Sequence, residues 1–350
     1  ELTRASGFDL SADILNSLPT PDDSITAALT RHYDGIEHPL LARDGTSFEY
    51  CQQYRDGAQH LDQAFRDTAV LVDPFFTIVP LLKVAFGRSE SDPAQVDPHL
   101  PLLREVESVL VCHSHYDHVL DLPYVTRHLR PNPTVFGSQT LQHTLAPLDL
   151  PIHFEAVNER AASPDEAGTW LHANRGRVRV LPINSGHPNN YAFIHLWTDR
   201  LSTDRATPPT RASDWQEGDT FAFLVDFLED DGDTIVHRVY VQTSSRGLPD
   251  GLFPLSLLDE RGVDVALLAM DCANTAARGQ PSIIEAIAPS TVIFCHWENF
   301  FRSKDKPPRE IVKVNVPALK RWFEADPARE YLFPAWNGRF RFPDYGRVSP

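Results

Sequence analysis

The sequence predicts an α/β fold. Two observations carry that prediction. From Thr68 onward, short runs rich in β-branched and apolar residues alternate with longer helical or irregular stretches. Several of those runs also end in a histidine, a carboxylate or a polar cluster. Continuous apolar runs belong to strands covered on both faces, and open α/β sheets place their sites at the C-terminal ends of such strands.

Residues 1–65 are polar and mixed, with a helix-like start at Ser11 and a second helix expected near Ala58 to Phe65. This segment reads as an N-terminal extension packed on the core, and residues 66–350 as one domain. The strand candidates follow in order. TAVLVD ends at Asp73 before Pro74, SVLVC runs into His113, and RVRVLPINSG runs into His187. HRVYVQTSS ends in the polar cluster Gln242 to Ser245, DVALLAM runs into Asp271, and TVIFC runs into His296. Between them, residues 88–101 and 200–219 are rich in Pro, Ser, Thr and Asp and read as long loops. The run Phe75 to Gly87 is apolar but broken by Pro80 and charged at Lys83, so it reads as core or as a flap beside a site.

Composition narrows the function classes. With 42% hydrophobic and 23% charged residues among 350, the chain has the balance of a folded soluble protein. A formal net charge of -16, with no run of Lys and Arg, disfavours nucleic acid as a partner. No apolar stretch reaches the roughly 20 residues that span a bilayer. The expectation is a soluble chain, cytoplasmic or exported after processing, acting on a small-molecule or lipid-like substrate; oligomeric state is left open. The four cysteines do not form a disulfide pattern, because Cys112, Cys272 and Cys295 each end an apolar run, where a free thiol packs as a small hydrophobe.

The strongest chemical signal is His113-Ser114-His115-Tyr116-Asp117-His118. In extended chain, positions two apart point the same way, so His113 and His115 can grip one ion. A helix is expected over Val119 to Leu129, which leaves Asp117 and His118 at the turn before it, facing a second ion. Imidazole nitrogen and carboxylate oxygen suit Zn²⁺ and related first-row ions. A lone His-x-His pair is weak; three histidines and an aspartate at this spacing directly after VLVC are specific.

This motif resembles the signature of the metallo-β-lactamase superfamily. The local form CHSHYDHVLDLP is similar to the branch containing N-acyl-phosphatidylethanolamine phospholipase D and the ascorbate-6-phosphate lactonases. Leu71-Val72-Asp73-Pro74, Ser185-Gly186-His187-Pro188, the hairpin Phe221 to Phe227 with Val239 to Val241, and His296-Trp297 resemble that branch in order and spacing, over roughly residues 68–300. The resemblance implies a four-layer αββα sandwich. It implies one metal on His113, His115 and His187, and a second on Asp117, His118 and His296. Zinc is the implied metal, as one or two ions, with Mn or Fe as alternatives.

One departure stands out. Where the family carries a bridging aspartate after the strand VYV, this chain has Gln242-Thr243-Ser244-Ser245, without a carboxylate. Three readings stay open: a mononuclear enzyme, Asp271 as a substitute ligand, or a metal-binding protein that has lost catalysis. In the enzyme readings, a metal-activated water attacks the substrate and Asp117 orients it or accepts its proton. Trp297, Phe300 and Phe301 line the pocket or pack as core. The branch favours a phosphodiester substrate over a lactone or another ester or amide.

Overall fold

The computed structural model describes residues 48–52, 61–65, 68–104, 106–189, 195–270, 282–296, 299–301, 316–326, 328–332 and 339–342. Strands β1 (Phe48–Gln52), β2 (Leu61–Phe65), β3 (Thr68–Val72), β4 (Val106–Leu110), β5 (Thr134–Gly137) and β6 (His153–Ala156) form one sheet. The second contains β7 (Leu171–Ala173), β8 (Val178–Asn184), β9 (Phe221–Leu228), β10 (Ile235–Gln242), β11 (Val265–Ala269), β12 (Thr291–Cys295) and β13 (Glu330–Leu332). The last strand, β14 (Arg339–Phe342), returns to the first sheet beside β1.

Alternation along the strands builds the layers. Val70, Val72, Leu110 and Phe136 of the first sheet meet Val180, Phe223, Val225, Val239, Val241 and Leu267 of the second in one buried core. Their neighbours Ala69, Leu71, Val109, Val111 and Val135 face the other way. These are covered by α1 (Leu81–Phe86), α2 (Pro93–Val96), α3 (Tyr116–Val119), α4 (Leu122–Val125) and α5 (Gln139–Leu145). On the far side, Leu181, Ile183, Leu224 and Leu268 pack beneath α6 (Leu257–Glu260), α7 (Ile283–Ile287) and α8 (Val316–Glu324). The result is the four-layer helix–sheet–sheet–helix sandwich that the sequence resemblance implies. Each fully buried Val, Leu or Phe in it contributes about 1.5–3 kcal/mol.

Two local expectations change. Leu61–Phe65 is a strand, not the end of a helix, because antiparallel pairing to β1 and β3 on either side outweighs a five-residue segment's weak tendency to coil into a helix. The helix expected over Val119 to Leu129 is two short ones, α3 and α4. Pro123 has no N–H to continue the ladder, so the helix restarts around it. Ser11 and the rest of residues 1–47 lie outside the described residues.

Direction then positions the site. Strand β9 is antiparallel to both β8 and β10, and β10, β11 and β12 are parallel. So β8, β10, β11 and β12 all release their C-terminal loops at one edge. Strands β3 to β6 are likewise mutually parallel. The two sheets are joined at that edge by the Phe221 N–H, which donates to the Cys112 carbonyl at 2.7 Å. Around the edge, the loops at 88–101 and 200–219 hold each other through Ser89 N to Thr210 O at 2.9 Å. Within Phe75 to Gly87, Phe75 and Phe76 are core, while Leu82 and Phe86 stand exposed. Among the described residues, no helix is long and apolar enough to cross a membrane.

Candidate metal centre

Strand β4 runs straight into His113 and His115, and the loop after β8 delivers His187 beside them. The ring of His113 lies 5.0 Å from that of His115 and 4.8 Å from that of His187. One ligand atom from each of the three falls within 4.8 Å of the others. Hydrogen bonds decide which nitrogens are offered. A carbonyl only accepts, so His115 Nε2, 3.2 Å from Leu196 O, carries a proton and leaves Nδ1 for the cluster. His187 Nδ1 donates to Pro188 O at 2.6 Å and leaves Nε2. His113 is 1% exposed, yet neither of its ring nitrogens has a hydrogen-bond partner. Burying an unpaired imidazole is costly, and a cation among the three rings would offset part of that cost by taking one of the two nitrogens.

A second group sits alongside. Asp117 and His118 occupy the first turn of α3, and His296 follows β12. Asp117 Oδ2 lies 3.6 Å from His296 Nε2 and 4.0 Å from His118 Nε2. The rings of His113 and His118 are 3.8 Å apart, so the two groups adjoin. His296 adopts φ 57°, a left-handed conformation that a non-glycine residue holds only under constraint.

Asp73, with φ 44° at the end of β3, is completely buried beneath this group. Its Oδ1 accepts from Cys112 N at 2.8 Å, and its Oδ2 accepts from His118 Nδ1 at 2.9 Å and from Thr243 Oγ1 at 2.7 Å. A carboxylate on Nδ1 turns Nε2 of His118 toward Asp117, as metal-binding histidines require. The segment after β10 therefore places Thr243 against Asp73, and no carboxylate stands within Gln242 to Ser245.

The electrostatics match a cation site. Burial, followed by repulsion from neighbouring imidazoles, holds His113 and His187 well below the ordinary histidine value. Burial brings His115 down to about 4. Burial pushes Asp117 upward, but His296, His118 and His115 more than offset it and hold the carboxyl well below its usual range. Neutral imidazoles beside an ionised carboxylate are the protonation states that metal ligands need.

A third grouping adjoins the first. His195 stacks on His187 at 5.2 Å and 10° and pairs with the Glu217 carboxylate. Glu217 is anchored by Thr220 Oγ1 at 3.3 Å and through backbone bonds to Trp197 and Ser114. Gly218 beside it has φ +70°, and a Cβ there would come within 2.5 Å of Thr140 Cβ. Because His187 has one nitrogen left to offer, this group cannot act as a further three-ligand site while the first is in use.

The six histidine and aspartate positions of the sequence motifs thus come together. Asp271 and Trp297 lie outside the described residues. Phe300 is 6% exposed and packs against His296 at 5.2 Å and Phe75 at 6.2 Å, so it backs His296 from the core. Asp73 carries no signal in the sequence beyond a strand ending in Asp-Pro, and Glu217, an acidic residue in a polar loop, carries no distinguishing pattern.

A family model described as a beta-lactamase superfamily domain matches residues 68–238. The chain is similar to Igni18, a novel metallo hydrolase from the hyperthermophilic archaeon Ignicoccus hospitalis, at 13% identity and TM-score 0.50, covering 85% of this chain and 99% of that one. It is similar to the metallo-beta-lactamase fold protein YhfI from Bacillus subtilis, at 11% identity and TM-score 0.47, over 85% and 100% of the two chains. A possible metal-dependent hydrolase from Veillonella parvula gives 13% identity and TM-score 0.48, over 84% and 98%. No curated protein matches. The four-layer sandwich is the metallo-β-lactamase fold.

Proposed function

We propose that this metallo-β-lactamase-fold chain, with a beta-lactamase superfamily domain over residues 68–238, is a metal-dependent hydrolase. The observation that carries the reading is the pair of adjoining ligand groups, His113, His115 and His187 beside Asp117, His118 and His296, each with its ligand atoms within 4.8 Å of one another. The orphaned nitrogens of His113 and the carbonyl- and carboxylate-fixed tautomers of His115, His187 and His118 fit a borderline divalent ion. Zinc fits this donor set best, as one ion or two, with Mn or Fe as alternatives. When bound, such an ion supplies a Lewis acid and a water acidified toward neutral pH.

The chain's own residues do the rest. Asp117, held ionised by three imidazoles, orients the attacking water or receives its proton. His195, aligned by Glu217, presents a polar wall on the His187 side, and Phe300 backs His296 from the core. The favoured substrate is a phosphodiester, supported by the resemblance of CHSHYDHVLDLP to the phospholipase D and lactonase branch. A lactone or another ester or amide is the alternative chemistry.

A second reading, a metal-binding protein without catalysis, is favoured by the segment Gln242 to Ser245, which holds no carboxylate and whose Thr243 hydroxyl is committed to Asp73. Metal analysis combined with hydrolysis of bis(p-nitrophenyl) phosphate and of simple lactones separates the two. Turnover abolished by chelation and restored by zinc is the expected result. Full metal loading without turnover on either class of substrate would favour the second reading.

A further inference from the structure

We propose that Arg246 anchors an anionic group of the substrate beside the metal centre, so that this chain selects negatively charged esters; the inference rests on the hydrolase reading above.

The loop that carries His187 and the loop that carries Arg246 are sewn together. Gln242 Nε2 donates to Ser185 Oγ and to Asp250 O, both at 3.0 Å. Ser185 Oγ in turn donates to Ser244 O at 3.0 Å, and Gly251 N donates to Asn184 O at 2.9 Å. These bonds fix the backbone at 246 relative to the metal-site histidine.

The side chain is fixed as well. Asp250, only 11% exposed, accepts from Arg246 N at 3.0 Å and Nε at 2.9 Å through Oδ2, and from Nη2 at 3.0 Å through Oδ1. The guanidinium then lies directly over Gly186, the residue before His187. A Cβ at 186 would come within 2.3 Å of Arg246 Nε and 2.5 Å of Asp250 Oδ2. Glycine at this position leaves the space that the ion pair occupies.

A guanidinium has five N–H groups, and Asp250 takes the Nε–H and one on Nη2. Those on Nη1 and the outer side of Nη2 meet no acceptor among the described residues, and the side chain is 65% exposed. Arg246 also lies within electrostatic reach of Glu217, the partner of His195. A surface arginine ordinarily samples many rotamers. This one has its fork held by a nearly buried carboxylate and its other edge presented to solvent, the arrangement that recognises a planar or tetrahedral oxyanion without further ordering cost. In a chain of net charge -16, a cation immobilised beside the histidine cluster has a specific use for an anion.

The test is binding of inorganic phosphate to the zinc-loaded full chain by titration calorimetry, with zinc content measured on every sample. Arg246→Ala is expected to weaken phosphate about tenfold, the size of one lost charge-assisted bond, without change in zinc content. Arg246→Lys should recover part of the loss. Gly186→Ala, which displaces the guanidinium while keeping every charge, should weaken phosphate comparably. In turnover, KM for the anionic bis(p-nitrophenyl) phosphate should rise in Arg246→Ala, while KM for uncharged p-nitrophenyl acetate stays put. Equal phosphate affinity in wild type and Arg246→Ala, or equal changes in KM for both esters, overturns the anchor and leaves the hydrolase reading standing. A chain that takes up no zinc fails that reading itself, and the anchor falls with it.

Discussion

His118 donates its Nδ1 proton to Asp73 Oδ2 at 2.9 Å, in a bond from which water is wholly excluded. The bond fixes both the tautomer and the tilt of the ring. The same carboxylate spans three strand ends, reaching Cys112 after β4 and Thr243 after β10. Asp73 is therefore a second joint between the two sheets, beside the Phe221–Cys112 bond, at the edge where the histidines gather.

Replacing Asp73 with Ala is expected to lower metal affinity about 10–100-fold, as loss of an orienting partner does at metal-bound histidines. Competition against a chromogenic chelator measures it. The variant also strands the Cys112 N–H and the Thr243 hydroxyl, which should lower stability by about 1–3 kcal/mol. Wild-type metal affinity in Asp73→Ala would show that His118 needs no such support.

The two ligand groups share no carboxylate among the described residues, so they should release their ions in two resolvable steps as chelator is added. His187→Ala should remove one ion per chain and His296→Ala the other, read by elemental analysis. A single release step for the wild-type chain, or unchanged stoichiometry in either variant, contradicts the assignment of two groups.

Asp121 tests the scaffold behind the site. It is fully buried and accepts from Phe76 N at 2.6 Å, Thr77 N and Thr77 Oγ1 at 2.7 Å, and the Ser91 hydroxyl. These bonds pin the segment that follows Asp73 onto the helices. Asp121→Ala leaves several buried donors unpaired and should cost about 3–5 kcal/mol, visible as a lower urea midpoint. A loss below about 1 kcal/mol would mean that water satisfies those donors instead.

His237, buried within β10, supplies a pH signature away from the metal site. Burial, with Arg261 adding to it, lowers its pKa to about 3. The unfolded imidazole titrates near 6.5, so below that pH the unfolded state holds the extra proton. Stability contributed by the neutral ring is therefore present above about pH 6.5. It falls by up to about 1.4 kcal/mol per unit as pH drops toward 3. His237→Gln should remove this slope, so its stability profile should converge on that of wild type between pH 6.5 and 4. Parallel profiles would show that the ring is protonated without cost.

The chain order of the ligands was legible because each follows an apolar strand, and strand ends are where an α/β sheet exposes side chains. His113, His115, Asp117 and His118 stood out by local spacing, and His187 and His296, each after a run such as RVRVLPIN or TVIFC, were singled out by resemblance in order and spacing. Local pattern misled where pairing partners decide the outcome. Leu61–Phe65 became a strand because β1 and β3 flank it, and Pro123 split a helix that periodicity alone would have continued.

What residue type and short-range period determined by themselves was the α/β class and the local motif His113 to His118, while the layered sandwich and the further candidates His187 and His296 came from resemblance in order and spacing. Tertiary structure alone decided that Asp73 holds His118, that Glu217 aligns His195, and that Arg246 lies over Gly186. Those partners are 45, 22 and 60 positions apart in the chain. A hydrogen bond depends on distance in space, and no periodic pattern along the chain encodes which loops the twist and direction of two sheets will bring to the same edge.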